Sequence, residues 1–278
     1  MLAAGLLTPA ALRSSVWRRL YRGVYADAAL PDSFGLRIRG AGLLIPPSAV
    51  FSGRTAAYLH GATALVESRT AVEVSVPPGA GFGPVTGLRV RQVALLTHEV
   101  STVSQRLATA PVRTALDIAR WEPAVDAVAA LDVLLARGIV ANSELAVAAE
   151  STTGRGSRCI RRAVDLADPR AESIPESKLR VLLALAGLPA VPQFAVRDGD
   201  GRFVARVDLA YPEHRIAVEY DGAWHGAPGQ LSKDRRRQNL LTAAGWRIVF
   251  VTAADMHDLE ALVAQLRALL AARATSGK

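Results

Sequence analysis

The sequence lacks the residues that would cross-link it or anchor it in a membrane. Cys159 is the single cysteine among 278 residues, which excludes an intramolecular disulfide and favours a reducing compartment. No uncharged run is long enough to span a bilayer, and no basic residues precede the apolar residues 1–7, so no signal peptide is predicted. We therefore expect a cytoplasmic protein without a membrane partner.

Nucleotide-binding glycine motifs are also missing. The glycine-rich stretch 79–87 has neither Gly-Lys-Ser/Thr nor Gly-x-Gly-x-x-Gly spacing, which predicts a loop and not a phosphate cradle. Lysine is scarce, yet Lys+Arg total 33 against 25 Asp+Glu, a net charge of +8. This excess fits a polyanionic partner, although an arginine-rich composition also follows from a GC-rich genome.

Hydrophobic residues make up 50% of the chain, and the length allows two domains, each with its own core. The clearest pattern is in residues 203–211 and 216–221, which alternate with a period of two and predict two strands. Val207 and Leu209 then share one face of the first strand. Residues 212–215 are short and polar enough to join the strands as a hairpin.

The register of this hairpin brings two acidic residues together. Pairing Tyr211 with Ile216 sets Asp208 opposite Glu219. Like charges directly opposite each other destabilise a sheet. A divalent cation with oxygen ligands would relieve that repulsion, so the pair indicates a metal site.

A helix is predicted from residue 173 to 186, before the hairpin. Ser173 and Glu176 form a capping box at its start, and Gly187 follows its end. Glu176 also shares one stripe with Leu179 and Leu183, which must face the sheet. Glu176 therefore has two candidate roles, as a cap of its own helix or as a third carboxylate near the hairpin.

A basic helix follows the hairpin, with Ser232 as its predicted cap. Cations at a helix N-terminus oppose the helix dipole, which is understandable if that end faces phosphates. Residues 246–251 predict a strand buried on both faces, and residues 255–272 a single amphipathic helix. The predicted nucleic-acid contacts in the basic helix are Lys233, Arg235, Arg236 and Arg237.

The N-terminal part predicts a helix over residues 10–21, followed by a turn into a short strand at 23–26, as in a winged helix. A plain amphipathic helix with a solvated arginine face is the alternative. Ser52 is expected to cap a helix that ends at Leu59. Further strands are predicted at 71–76 and 88–93, and further helices at 112–120, 123–135 and 143–150.

Two phrases in this part resemble the AbiEi family of abortive-infection antitoxins. They are Ser-Gly-Arg-Thr-Ala-Ala-Tyr-Leu-His-Gly at 52–61 and Arg-Thr-Ala-Leu-Asp-Ile-Ala-Arg at 113–120, and Arg-Gly-Val-Tyr at 22–25 is similar to the family's wing. The resemblance implies an antitoxin-like region over 1–150, with a winged-helix remnant at 1–30. A linker and short basic helix are expected at 151–172, and a second domain at 173–278.

The second domain resembles the PD-(D/E)xK nuclease superfamily, and within it the very-short-patch-repair-like endonucleases. The motifs are Glu-Ser-Lys-Leu at 176–179, Arg-Val-Asp-Leu-Ala-Tyr at 206–211, Val-Glu-Tyr-Asp-Gly-Ala-Trp-His at 218–225, and Asp-Arg-Arg-Arg at 234–237 with Gly-Trp at 245–246. The resemblance implies an α/β fold with a restriction-endonuclease-like mixed sheet flanked by helices. It also implies hydrolysis of DNA phosphodiester bonds with Mg²⁺, or Mn²⁺ in its place. Its implied site residues are Asp208 and Glu219 as metal ligands, Glu176 completing the shell, and Asp221 and His225 as further catalytic residues.

The sequence departs from the superfamily pattern at Asp221, which stands where a lysine is usual. Asp221 could instead pair with Arg206 across the hairpin. His225 is either a general acid or base near this position or a structural histidine. Trp224 is either an apolar plug or a surface on which a base stacks.

Three hypotheses follow from the sequence. The first is a Mg²⁺-dependent endonuclease that acts on DNA. The second is an antitoxin-like transcriptional regulator whose inactive nuclease fold only binds DNA. The third is a protein-interaction module, which predicts no salt-dependent DNA binding.

Overall fold

The computed structural model describes residues 8, 10–222 and 230–276. The chain divides into two units, of which the first holds residues 1–121 and 137–161 and the second holds residues 122–136 and 162–278. Each unit combines helices with a mixed sheet, which confirms the predicted α/β class.

The N-terminal helix predicted over residues 10–21 is wrong. Only Ala11–Arg13 forms a short 3-10 turn, and Trp17–Tyr21 is a strand, β1, paired antiparallel with β2, Val24–Asp27. Gly23 has a φ of 80° in the turn between them, a conformation that favours glycine. Aromatic and branched residues suit a paired strand, and this preference outweighs the helical spacing of the apolar positions.

The first unit is built on the strands β3 (Val50–Phe51), β4 (Val72–Val76), β5 (Leu88–Gln92), β6 (Val100–Val103) and β7 (Arg106–Thr109), which form a five-stranded sheet in the order β5-β4-β3-β7-β6. The unit also contains the helices α1 (Phe34–Ala41), α2 (Gly53–Leu59), α3 (Pro111–Trp121) and α5 (Asn142–Ser151). Ser52 does not cap α2, because its hydroxyl accepts a hydrogen bond from Ser75 Oγ at 2.9 Å instead.

The second unit is built on the strands β8 (Val191–Arg197), β9 (Phe203–Tyr211), β10 (Ile216–Tyr220) and β11 (Arg247–Val251). They form a four-stranded sheet in the order β11-β10-β9-β8, in which only β10 and β11 run parallel. The unit also contains the helices α4 (Ala124–Ala136), α7 (Ile174–Leu185), α8 (Gln230–Ala243), α9 (Ala253–His257) and α10 (Leu259–Ser276), of which α4 lies within residues 1–150. The chain passes from one unit to the other between residues 121 and 122, between residues 136 and 137, and within α6 (Ser157–Leu166).

Helices cover both faces of this second sheet. On one face α7 and α10 pack on Leu209 and Val218, and on the other Leu241 of α8 packs with Val207. The prediction that Val207 and Leu209 share a face is therefore wrong. Ala205 and Val207 of β9 face α8, whereas Leu209 and Tyr211 face α7 and α10. The alternation of side chains between the two faces of the strand therefore shifts by one residue at Asp208.

Two predictions for the C-terminal elements also need correction. The last helix is divided at Asp258 into α9 and α10, and Asp258 Oδ1 accepts a hydrogen bond from the Ala261 amide at 3.2 Å, which caps the start of α10. Strand β11 is not buried on both faces, since Phe250 is 43% exposed. Among the helices that the structure describes, none is long and apolar enough to cross a membrane.

Candidate active site

The two acidic residues of the predicted hairpin lie near the point where its regular pairing ends. The predicted pair of Tyr211 with Ile216 is confirmed, and pairing is regular over three residue pairs. Asp208 lies one residue beyond, and its Oδ2 accepts a hydrogen bond from the Tyr220 amide at 3.0 Å. The carboxylate of Asp208 is thereby fixed against β10, close to Glu219.

The pKa of the Asp208 carboxyl is higher than the ordinary value of an aspartate. Burial raises its pKa to about 6, and the negative charge of Glu176 is the next cause of the increase. Glu219 acts in the same direction, whereas the Tyr220 amide and Arg237 oppose it. Both neighbouring acids therefore act electrostatically on Asp208, and a carboxyl with a pKa perturbed in this way is typical of functional sites.

Glu176 forms hydrogen bonds both at the start of its own helix and with a residue of the neighbouring sheet. At the start of α7 its amide donates to Ser173 Oγ, which confirms Ser173 as the cap of the helix. The Glu176 carboxylate accepts from Ser173 Oγ at 2.7 Å, through Oε1, and not from the Ser173 amide that the capping box predicted. Its other oxygen, Oε2, accepts from the Glu172 amide at 3.2 Å and from Gln193 Nε2 at 3.0 Å. The helix cap thus also holds this carboxylate near Asp208.

Glu219 is 7% exposed and forms an ion pair with Arg237. Arg237 of α8 donates from Nη1 to Oε2 at 2.7 Å and from Nη2 to Oε1 at 2.5 Å. Such a two-pronged arrangement is among the stronger ion pairs. Arg237 Nη2 also donates to the Arg206 carbonyl at 2.6 Å, so this arginine joins α8 to both strands of the hairpin.

Arg206 does not pair with Asp221. Its guanidinium forms an ion pair with Glu172 in the loop before α7. Asp221 is exposed just past the end of β10, and its amide donates to the Val251 carbonyl at 2.8 Å. The cross-strand salt bridge considered from the sequence is therefore not the contact that Arg206 makes.

The structure thus brings Glu176, Asp208 and Glu219 together and leaves Asp221 at the margin. Trp224 and His225 lie outside the described residues, and so does the side chain of Lys233. Arg235 and Arg236 are exposed on α8. Arg237, predicted as a nucleic-acid contact, binds Glu219.

Sequence reasoning missed Gln193, whose amide contacts Glu176. Gln193 lies in β8, outside all of the motifs that predicted the site. The one available signal was a polar residue inside the apolar run from Val191 to Val196. That signal is weak, because a single polar residue in a strand is common on a solvated face.

Carboxylate oxygens are the ligands that Mg²⁺ and Mn²⁺ prefer, so the three acids fit such an ion by donor chemistry. Within residues 8, 10–222 and 230–276, however, no group of three or more His, Cys, Asp or Glu is arranged as a ready metal site. Both oxygens of Glu219 are held by Arg237. Metal ligation by Glu176, Asp208 and Glu219 stays a prediction, and it requires Glu219 to exchange its guanidinium partner.

Comparison with known proteins places the chain in a family. Over 241 residues it is 36% identical to the uncharacterized proteins MT2308 and Rv2248 from two strains of Mycobacterium tuberculosis, and the alignment covers 86% of this chain and 86% of each relative. The chain belongs to the same family as these mycobacterial proteins. Residues 48–168 match the AbiEi antitoxin C-terminal domain, which confirms the AbiEi-like character of the middle of the chain.

A shorter similarity is to a nicking enzyme. Over 83 residues the chain is 32% identical to the type II nicking enzyme V.XorIIP of Xanthomonas oryzae pv. oryzae, which covers 23% of this chain and 61% of that enzyme. No solved structure gives a significant match.

Proposed function

We propose that the second unit is a metal-dependent endonuclease that hydrolyses phosphodiester bonds of DNA. The observation that carries the proposal is the burial of Asp208 beside Glu176 and Glu219, since burial first and the charges of these two acids second raise the pKa of Asp208 to about 6. A fold keeps such repulsion where a cation or a reacting group uses it. The partial similarity to a nicking enzyme supports the same reaction class.

In this proposal Asp208, Glu219 and Glu176 would hold Mg²⁺ or Mn²⁺. When bound, such an ion polarises the scissile phosphate and makes a bound water a better nucleophile at neutral pH. The Tyr220 amide fixes one oxygen of Asp208. Ser173 and Gln193 fix the two oxygens of Glu176, so both carboxylates keep their orientation before substrate arrives.

The basic residues of α8 would attract the DNA backbone in this proposal. Arg235 and Arg236 are exposed on the helix that carries Arg237, and the chain has a net charge of +8. Contacts of this kind give affinity for any sequence and weaken as salt increases. His225 remains our proposed general acid or base and Trp224 our proposed base contact, and Asp221 is kept as a further candidate near them.

A second function has its own support. Arg237 already neutralises Glu219, and Asp221 stands where the nuclease superfamily usually has lysine. Both features suit a nuclease fold that binds DNA without cutting it. Together with the AbiEi match at 48–168, they favour an antitoxin-like DNA-binding regulator as the alternative.

Cleavage of supercoiled plasmid by the purified full-length protein separates the two functions. We expect relaxed circles with Mg²⁺ or Mn²⁺ and none with EDTA. Asp208→Asn and Glu219→Gln should abolish cleavage, whereas Asp200→Asn, an exposed acid in the turn before β9, should not. Salt-dependent DNA binding without cleavage in any metal would support the regulator, and the absence of DNA binding would support a protein-interaction module.

A further inference from the structure

Gln193 has a backbone conformation that a strand does not require. Four described residues other than glycine have positive φ: Ser104, Gln105, Gln193 and Arg215. Ser104 and Gln105 lie in the turn between β6 and β7, and Arg215 ends the turn between β9 and β10, where such values are ordinary. Gln193, with a φ of 50°, lies inside β8. Residues with side chains are strained there, so something must hold Gln193 in place.

The strained residue faces the centre of the candidate site. Pro192 pairs with Leu209 and Phe194 pairs with Val207, which leaves Gln193 across from Asp208. This is the position at which the alternation of β9 shifts by one residue. The positive φ of Gln193 in β8 and the shifted alternation at Asp208 in β9 therefore occur at the same point of the sheet. Residues held in sparsely populated backbone conformations are concentrated at active sites.

The side chain of Gln193 is directed to Glu176. Its Nε2 donates to Glu176 Oε2 at 3.0 Å, and the residue is half-buried. The Glu172 amide donates to the same oxygen, and Ser173 Oγ holds the other. Glu172 and Ser173 belong to the approach to α7, so among the hydrogen bonds of the described residues the one from Gln193 ties this carboxylate to the sheet that carries Asp208.

We infer that Gln193 is a positioning residue, which orients the carboxylate of Glu176 toward Asp208 and Glu219 and accepts a strained backbone to do so. The inference rests on the proposed function, because it concerns the same site. It assigns a role to a residue that touches neither the phosphate nor the metal in the proposed reaction. Residues that orient a ligand in this way commonly change metal affinity or activity by about 10- to 100-fold when they are removed.

Gln193→Gly tests the inference, because glycine adopts positive φ without strain and removes the amide. We expect the melting temperature of the full-length protein to stay equal or rise. Mn²⁺ affinity, measured by calorimetry, and the rate of plasmid nicking should each fall by about 10- to 100-fold, with DNA affinity unchanged. Gln193→Asn should behave alike, since asparagine tolerates this backbone but is one carbon too short to reach Glu176.

Gln105→Gly is the matched control. Gln105 has a φ of 62° in a turn of the first unit, so the substitution removes the same side chain from the same backbone conformation. It should leave Mn²⁺ affinity and nicking unchanged. A second comparison uses the double variant with Glu176→Ala. If the Gln193 amide acts through Glu176, adding Gln193→Gly to Glu176→Ala should change Mn²⁺ affinity and nicking little further.

The outcomes separate this inference from the proposed function. If the unaltered protein neither binds Mn²⁺ nor nicks DNA, the proposed function fails and the role of Gln193 fails with it. If the unaltered protein is active and Gln193→Gly only lowers the melting temperature, the nuclease stands and the positioning role is overturned. The positioning role would also be overturned if Gln193→Gly lowered Mn²⁺ affinity as much in the Glu176→Ala variant as in the unaltered protein.

Discussion

Arg237 and Glu219 form a two-pronged ion pair in which both carboxylate oxygens accept a hydrogen bond, at 2.7 and 2.5 Å. The carboxylate is nearly buried, whereas the arginine is 36% exposed. The guanidinium therefore supplies the positive charge that the acidic cluster needs, on a helix whose neighbouring arginines face solvent. A divalent cation and a DNA phosphate would each compete for one partner of this pair.

We predict that Arg237→Gln makes the protein respond more strongly to Mg²⁺. Without metal, loss of the pair should lower the free energy of unfolding by roughly 1 kcal/mol, because the exposed arginine makes it weaker than a fully buried pair. A cation that binds only the folded protein restores stability by mass action. Melting temperatures with EDTA and with Mg²⁺ should therefore differ more in the variant than in the unaltered protein.

Arg236→Gln provides the control for this experiment, since Arg236 is an exposed residue of the same helix. It should leave the metal response unchanged and reduce DNA binding only through loss of one charge. Equal metal responses of Arg237→Gln and Arg236→Gln would show that the guanidinium does not stand in for a cation.

Much of the second unit could be predicted from the sequence, because its signals are local. The period-two runs predicted β9 and β10, and a polar connection of four residues set the pair of Tyr211 with Ile216. The capping box predicted the start of α7 at Ser173. These features depend on neighbours in the chain, so no knowledge of the tertiary structure was needed.

What the sequence did not predict depends on partners far along the chain. Glu219 lies 18 residues from Arg237, and Glu176 lies 17 residues from Gln193. An arginine in a basic helix gives no sign of which carboxylate it binds. Positive φ at Gln193 is equally invisible, because glycine and asparagine are the residues that signal it. The shift in the faces of β9 occurs opposite that same residue.

We predict that Gly53→Ala destabilises the first unit beyond the effect of backbone strain. Gly53 starts α2 with a φ of 55°, and a Cβ there would lie 2.5 Å from Glu73 Oε2. Glu73 is 3% exposed, and its Oε2 forms an ion pair with Arg91 at 2.5 Å, so the carboxylate has little freedom to move. The loss in the free energy of unfolding should be roughly 2 to 4 kcal/mol in urea denaturation.

Gly138→Ala separates the two causes. Gly138 has a φ of 64°, and a Cβ added there would meet no heavy atom within 4 Å, so alanine encounters only the backbone penalty. It should cost about 1 kcal/mol. If Gly53→Ala and Gly138→Ala lowered the free energy of unfolding equally, the Glu73 carboxylate would have moved aside without an energetic penalty.

We predict that Asp117 makes the first unit less stable as pH rises from about 4 to 6. Burial raises the pKa of this fully buried carboxyl to about 6, although Arg113 Nε donates to its Oδ1 at 2.8 Å. Its Oδ2 has no hydrogen-bond partner among the described residues. The folded chain therefore binds a proton more tightly than the unfolded chain does, so stability is gained below pH 6 and lost as pH increases through 6.

Asp117→Asn tests this sign, because asparagine is neutral at every pH. Between pH 4.5 and 7.5 the unfolding free energy of the variant should improve relative to the unaltered protein by about 2 kcal/mol. Urea denaturation at the two pH values measures the change. A constant difference between the two proteins would mean that Asp117 titrates at an ordinary pKa.

We predict that the buried pair of Arg180 and Asp132 is essential to the helix that carries Glu176. Arg180 of α7 donates to Asp132 Oδ2 of α4 at 2.8 Å and to the Leu166 carbonyl at 2.7 Å, and Asp132 is 1% exposed. Arg180→Met leaves that carboxylate buried without its cation, which should cost about 3 kcal/mol of unfolding free energy.

The same two helices offer an exposed comparison. Lys178 of α7 pairs with Asp126 of α4 at 2.7 Å, and both side chains are 36% exposed. Lys178→Met should cost less than about 1 kcal/mol. Adding Asp132→Leu to Arg180→Met should recover much of the loss, since an apolar pair needs no charge compensation. If it does not, the helices depend on the polar contacts to Leu166 and to the Asp168 amide, and not on the ion pair itself.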